Sequence, residues 1–299
     1  MIRFGLCCIF HNEPIKFSTT TATCVAKMSR LEGLKKVSNL VKSNVEALMQ
    51  AITYCSNHGI GCFRVGSSIL PLKTHPELGY TMEELPDGLF FIELFQNCGE
   101  FAKQKDIRLC FHPDQFVVLN SLKDSVVDLS IKEIEYQSEV ASWIGADVVN
   151  IHGGGAFNDK KTSLDRLKQN IGRLSQNAKS KLTLENDDRT YTPDDLIPVC
   201  ESTGVPLLYD VHHHRCNPDR FDIYKATELA IMTWNSREPM FHISSPLEGW
   251  SGPKPMRHHD YIDPYDFPKF WSEYDLTVEV EAKAKEVAIL KLIQDLKKV

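Results

Sequence analysis

The sequence predicts an α/β fold: a (β/α)8 TIM barrel in a single domain, residues 1–299, with a metal cluster at the C-terminal rim of its strands. Three observations lead there. About eight short β-branched or apolar runs alternate with about eight helix-patterned stretches, which points to a parallel sheet wrapped by helices. The strand count and the 299-residue length favour a barrel over a doubly wound sheet, and no composition shift or linker marks a domain boundary. Histidines and carboxylates fall at the ends of six successive runs, where a barrel of this kind keeps its chemistry.

The elements follow in chain order. The first strand is expected over Ile2–Cys8. The 34–59 stretch places apolar residues at helical spacing and stops on Gly59, a residue that tolerates the left-handed cap. Cys62–Val65 and Arg108–Phe111 are the next two strands. A helical pattern over 125–145 ends on Gly145 and feeds a strand at Asp147–Ile151. Another over 162–179 leads to a strand at Leu182–Leu184. Thr192 before Pro193 is an N-cap with proline at the first helical position, opening a helix over 192–204. Strands at Val205–Tyr209, Met240–Ile243 and Thr277–Val280 complete the sheet, and a helix over 286–299 closes the chain.

Composition narrows the function. Lys plus Arg number 34 and Asp plus Glu 40, a net charge of −6. That argues against a protein that coats nucleic acid non-specifically, but not against an enzyme with a small positive groove, since bound cations change the local sign. The 9 cysteines are odd in number and scattered without a CxxC pair. They read as buried thiols of a reducing compartment, so a cytoplasmic location is expected, or a nuclear one in a eukaryote. The start has no secretory h-region, and no segment approaches the ~18 apolar residues of a membrane helix.

The ligand-type residues are His112, His152, Glu185, Asp210 with His213 three residues on, His242 within the seventh strand, and Glu281. A lone histidine after a strand is more often a cap or a loop residue. Six consecutive strand ends delivering such groups to one rim are hard to explain that way. Converging imidazoles and carboxylates need neutralising, and divalent ions do that. Nitrogen and oxygen ligands without thiolate suit zinc, manganese or a similar ion, and the set exceeds one tetrahedral shell, so two or three ions are expected. Such clusters serve phosphodiester hydrolysis and also aldose–ketose isomerisation. The metal pattern leaves both open.

The motifs HPDQF, IHGGG, LENDDR, Asp-x-x-His-His followed by Asn-Pro, and VEAKAKE resemble the UV-damage endonuclease family, whose barrel is related to endonuclease IV-type nucleases. The resemblance runs from Ile2 to about Glu286 and rests on motif order and spacing. It implies cutting of damaged double-stranded DNA on the 5′ side of ultraviolet photoproducts, leaving a 3′-hydroxyl. It also implies a cluster of two or three divalent ions, manganese first, with zinc and magnesium as alternatives.

The resemblance assigns His112, His152 and Glu185 to one ion. Glu185 would bridge to a second ion held with Asp210, His242 and Glu281, and would also orient the nucleophile. His213 and His258 would hold a third. His75 would lie on a phosphate, and Lys283 would pair with a carboxylate or a phosphate. Gln115 and Phe116 would probe the unstacked lesion. Asn12 would stand near the lesion. Arg257 and His259, in the basic GPKPMRHHDYID loop with Lys254, would meet the DNA backbone. Asn186 and Arg189 would support Glu185 through hydrogen bonds or a salt bridge. The protein is expected to act as a monomer, without an obligate protein partner.

Three departures from the family pattern stand out. Leu6-Cys7-Cys8 replaces a tyrosine near the end of the first strand, which bears on lesion contact. Met240 replaces a lysine two residues before the seventh-strand histidine, which bears on metal preference. Three histidines, His212 to His214, replace the usual pair, and His213 fits the spacing. The competing readings are a sugar isomerase or epimerase of the same barrel superfamily, an apurinic-site nuclease without photoproduct preference, and a non-catalytic DNA-binding scaffold. The first would need a closed polar pocket. The last is opposed by the intact ligand set.

Overall fold

The computed structural model describes residues 1–157 and 159–298. Among these, eight parallel strands close in sequence order into a barrel, β1 against β8. They are β1 (Ile2–Cys7), β2 (Cys62–Val65), β3 (Arg108–Phe111), β4 (Val148–His152), β5 (Leu182–Glu185), β6 (Leu207–Asp210), β7 (Met240–Ile243) and β8 (Leu276–Val280). The helices are α1 (Ala22–Val25), α2 (Arg30–His58), α3 (Gly88–Gln104), α4 (Asp124–Ile144), α5 (Lys160–Ile171), α6 (Gln176–Lys181), α7 (Pro193–Thr203), α8 (Val211–Cys216), α9 (Ile223–Thr233) and α10 (Lys285–Leu296). The barrel class is the one the alternating pattern predicts.

Local chemistry sets the boundaries. Ser29 and Glu32 form a reciprocal capping box at the start of α2, and Gly59 ends that helix at φ +70°. Gly145 ends α4 in the same way. Thr192 and Asp195 box the start of α7, with Pro193 at its first position. The helix expected over 162–179 is two helices, because Ser175 caps a new start at α6 after the chain turns at Gly172. The strand expected from Val205 begins at Leu207, after Pro206, which lacks an N–H. The Pro206 carbonyl still accepts from Leu184 N at 3.0 Å. The C-terminal helix ends at Leu296, and the expected terminal residue Val299 lies outside the described residues. Helices α1, α3, α8 and α9 are not among the expected elements.

Two apolar regions result. A large one fills the space between the sheet and the helices, with Phe63, Phe111, Ile151, Tyr209 and Phe241 among its buried residues. A smaller one, Cys62, Cys110, Val148, Leu208, Met240 and Trp234, includes alternate positions on five strands. By the period of two along a strand, those positions share a face with Arg64, His112, Asn150, Asp210 and His242. The barrel interior is thus apolar midway and polar towards the strand ends.

The helical layer is tight where α3 meets α4. A Cβ on Gly99 would stand 2.6 Å from both the carbonyl carbon and oxygen of Ile144, a backbone contact that cannot swing away. Gly99→Ala is expected to cost about 1–3 kcal/mol of stability, as overpacking does. Urea unfolding of the purified variant, followed by circular dichroism, measures this.

Candidate metal centre

The strands deliver their polar ends to one rim with defined neighbours. His152 is the last residue of β4 and pairs in register with Glu185, the last of β5. Asp210, the last of β6, pairs with His242 on β7, and His242 pairs with Glu279 on β8. His112 and Glu281 follow β3 and β8 directly. Because the sheet closes, these side chains meet at the mouth.

Glu185 is the hub. It is 1% exposed. One carboxylate oxygen lies 3.0 Å from His112 Nε2 and also accepts from Asn150 Nδ2. The other lies 3.1 Å from His242 Nδ1 and 3.4 Å from His213 Nδ1. His152 Nε2 stands 3.9 Å away. Asp210 caps α8 by accepting from His213 N at 2.7 Å. Its second oxygen is buried with no hydrogen-bond partner, 3.5 Å from His213 Nδ1 and 3.9 Å from His242 Nδ1. Glu281 completes the far side, 3.5 Å from His242 Nδ1 and 3.8 Å from His258 Nδ1.

Ring orientation favours ligation. His112 Nδ1 is 3.0 Å from the Pro113 carbonyl, and His213 Nδ1 is 3.0 Å from the Asn186 carbonyl. A carbonyl only accepts, so each Nδ1 carries a proton, and in the neutral ring Nε2 is then the nitrogen left to bind an ion. At the mouth, among the described residues, three groups gather ligand atoms within 4.8 Å of one another: His112, His152 and Glu185; His112, His242 and Glu281; and Glu185, Asp210 and His213. They share His112 and Glu185, which fits adjoining ions. The unpartnered Asp210 oxygen and the all-nitrogen-and-oxygen donor set suit divalent cations of the zinc or manganese type.

Other expected residues scatter. His258 reaches the cluster, with its ring centroid 6.2 Å from that of His213. Lys283 is exposed and lines a cavity of about 290 Å³ with Cys7, Cys8, His258 and Glu281. Phe116 stands 76% exposed on the loop after β3, beside exposed Gln115. Asn12 is exposed, and its backbone N–H donates to Glu286 at 2.7 Å. Arg257 is exposed, 3.6 Å from Glu248, and His259 Nδ1 accepts from Tyr261 N at 2.9 Å. His75 sits in the loop between β2 and α3, where its Nδ1 accepts from the backbone of Glu77 and Leu78. Among the described residues it has no bond to the cluster.

Two expectations need correcting. Arg189 does not support Glu185: its guanidinium is exposed and lies by Asp188 at 3.4 Å. Asn186 braces Asp210 instead, exchanging two hydrogen bonds of 2.9 Å with the Asp210 backbone. Of the three histidines, His213 is the one beside Glu185 and Asp210. His214 is taken by Tyr209 and Asp219, and His212 Nδ1 faces the Ser244 carbonyl.

The sequence reading missed Asn150, Arg64 and Glu279. Arg64 on β2 lies under the mouth. It donates to Glu279 through Nε and Nη2, at 3.1 and 2.7 Å, and to Glu281 at 2.8 Å. Each of the three is a polar residue two positions from a strand-end residue or inside an apolar run, and that was the available signal.

Burial and partners move the titrations apart. Burial opposes ionisation of Glu185, but His242, His152, His112 and His213 outweigh it and hold the carboxyl well below the usual range. Glu281 is held low against burial by Arg64 and His242. Burial disfavours the His242 cation, yet Glu185 and Glu281 raise its pKa to about 10. His213 is raised against burial by Asp210 and Glu185. Burial dominates at His152, which is lowered.

The sign follows for the metal-free protein. A raised histidine stabilises below its unfolded value of about 6.5, and that stability is lost as pH climbs through the folded value. Chelator-treated protein is therefore expected to unfold at progressively lower urea between neutral pH and about pH 10. With manganese present the trend reverses, because ions and protons compete for the same atoms. Urea midpoints across pH, with and without manganese, check both trends.

Comparisons with known proteins give the family and agree with the fold. The family model described as UV-endonuclease UvdE matches residues 2–299. A protein of Bacillus velezensis named UV DNA damage endonuclease is 33% identical over 99% of this chain and 94% of its own length. The crystal structure of SacUVDE superposes with a TM-score of 0.87 at 28% identity, covering 100% of this chain and 99% of that one. Endonuclease IV from Thermus thermophilus shares the fold, with a TM-score of 0.61 at 12% identity, covering 99% of this chain and 98% of that one. The chain belongs to the UV-endonuclease UvdE family.

Proposed function

We propose that this protein hydrolyses the phosphodiester 5′ to ultraviolet photoproducts in double-stranded DNA, using two or three divalent ions, manganese first. The products are a 3′-hydroxyl and a 5′-phosphate. The observation that carries the reading is the convergence of His112, His152, Glu185, Asp210, His213, His242 and Glu281 at one mouth, with Phe116 exposed on the loop that begins at His112. A sugar isomerase needs a closed pocket, whereas a 76% exposed phenylalanine on the same loop as His112 suits a wedge against stacked bases.

Bound divalent ions would lower the pKa of a water and neutralise charge on the reacting phosphate. The chain's own residues do the rest. His112, His152 and Glu185 would hold one ion. Asp210, His242 and Glu281 would share Glu185 for a second, and His213 with His258 would serve a third. Glu185 also orients the attacking water. Lys283, Arg257, His259 and His75 would contact phosphates, which positions DNA without reading sequence. Gln115, Phe116 and Asn12 would meet the lesion. The protein would act as a monomer.

A second reading has one observation in its favour. β1 ends in Leu6-Cys7 and is followed by Cys8, with no aromatic ring at that point of the rim. That suits an apurinic site, where no base needs stacking.

The test is incision of duplexes carrying one pyrimidine dimer, one apurinic site or no damage, each with manganese or with chelator. Manganese-dependent cutting 5′ of the dimer is expected. Cutting of the apurinic duplex alone would favour the second reading, and no cutting by manganese-loaded protein would refute both. Glu185→Gln removes the shared ligand. It is expected to lower incision by more than the roughly 10–100-fold typical of an outer-shell partner, with the circular dichroism spectrum retained. Unchanged nicking would overturn the assignment.

A further inference from the structure

We infer that Glu279 is a positioning residue that keeps the His242 proton on Nε2, so that Nδ1 faces the metal cluster as a ligand. This rests on the metal reading proposed above. The two ring nitrogens of His242 face different company. Nδ1 points to the rim, 3.1 Å from Glu185, 3.5 Å from Glu281 and 3.9 Å from Asp210. Nε2 points down the barrel, 2.8 Å from Glu279 Oε2 and 2.9 Å from Arg64 Nη2.

Those two neighbours below make opposite demands. A carboxylate only accepts, so Glu279 calls for a proton on Nε2. A guanidinium only donates, so Arg64 calls for a lone pair there. A neutral imidazole meets one demand and not both. If Nε2 served Arg64, the proton would sit on Nδ1 and point at the carboxylates where an ion belongs. Glu279 tips the contest: Arg64 already donates to it through Nε and Nη2 and so does not depend on His242, whereas the carboxylate charge 2.8 Å from Nε2 favours a proton there. With Glu279 in place, the Arg64 charge is taken up by Glu279 and by Glu281 at 2.8 Å. The fold makes room for this carboxylate. It is 1% exposed, and a Cβ on facing Gly5 would stand 3.1 Å from Glu279 Cγ.

Two measurements test the inference. Uniform 15N-histidine labelling of zinc-loaded protein, with His242→Asn to assign the signal, reports which nitrogen carries the proton. Nε2 is expected, and a proton on Nδ1 in the wild type overturns the inference whatever the variants do. Calorimetric titration of manganese into Glu279→Gln and Glu279→Met gives the affinity. A loss of about tenfold to a hundredfold is expected, the size seen for partners that orient a ligand. Glu279→Met keeps a similar volume and guards against a folding defect in the first variant, with circular dichroism as the check. Wild-type affinity in both variants overturns the inference and leaves the metal reading standing. A wild-type protein that takes up neither ion overturns both.

Discussion

Four carboxylates crowd the mouth of a barrel that water scarcely enters. Glu185, Asp210 and Glu279 are 0–1% exposed, and the Glu281 side chain is 16% exposed. Unpaired ionised carboxylates cannot persist in such a place. Among the described residues, the groups facing these carboxylates from within the barrel are one permanent cation, Arg64, and a ring of imidazoles whose charge is optional. This imbalance governs the rest. It draws His242 and His213 towards their charged forms when no other cation is present, and it leaves the Asp210 oxygen facing rings without a hydrogen bond of its own. Divalent ions relieve both conditions at once.

The barrel tolerates this crowding. Its strands are only four to six residues long and buried on both faces, so the sheet itself is held by apolar packing against the helices. That packing is built away from the rim, so the rim can hold charges that an apolar core could not. The braces around it are specific. Asn186 clamps the Asp210 backbone, Asn150 holds Glu185, and the Pro113 and Asn186 carbonyls turn His112 and His213 so that their free nitrogens stay available. Burial makes each such bond stronger than it would be in water.

The strands and most of the side chains gathered at the mouth were legible in the sequence because they repeat. An apolar run ending in His, Asp or Glu says little once, but six in succession say where the strands point. The braces were not legible for the complementary reason. Arg64 interrupts an apolar run in one place, and Asn150 and Glu279 each look like an ordinary inward position of a strand. Their meaning comes from partners on other strands, 35 to 215 residues away in sequence. Arg189 misled because sequence adjacency to Glu185 does not survive the turn after β5, where the chain leaves the barrel. Helix α3 was missed because its run of Leu89, Phe90, Phe91, Ile92, Leu94 and Phe95 is apolar on more than one side, with Leu89 and Phe90 left exposed. Such a run blurs the helical period.

Met240 then has a physical explanation. The resemblance led to the expectation of a lysine there, whereas the position is apolar and packs with Cys62, Cys110, Val148 and Leu208. The layer below the rim is still charged, but its cation comes from Arg64 on β2 and meets Glu279 on β8. A lysine at 240 would have to bury an ammonium in this apolar layer, at a cost in desolvation that repulsion from the Arg64 guanidinium would increase. The methionine and the Arg64–Glu279 pair thus form one arrangement. In it, the charge beneath the cluster is anchored to the strands flanking β1, and Gly5 on β1 leaves the space for it.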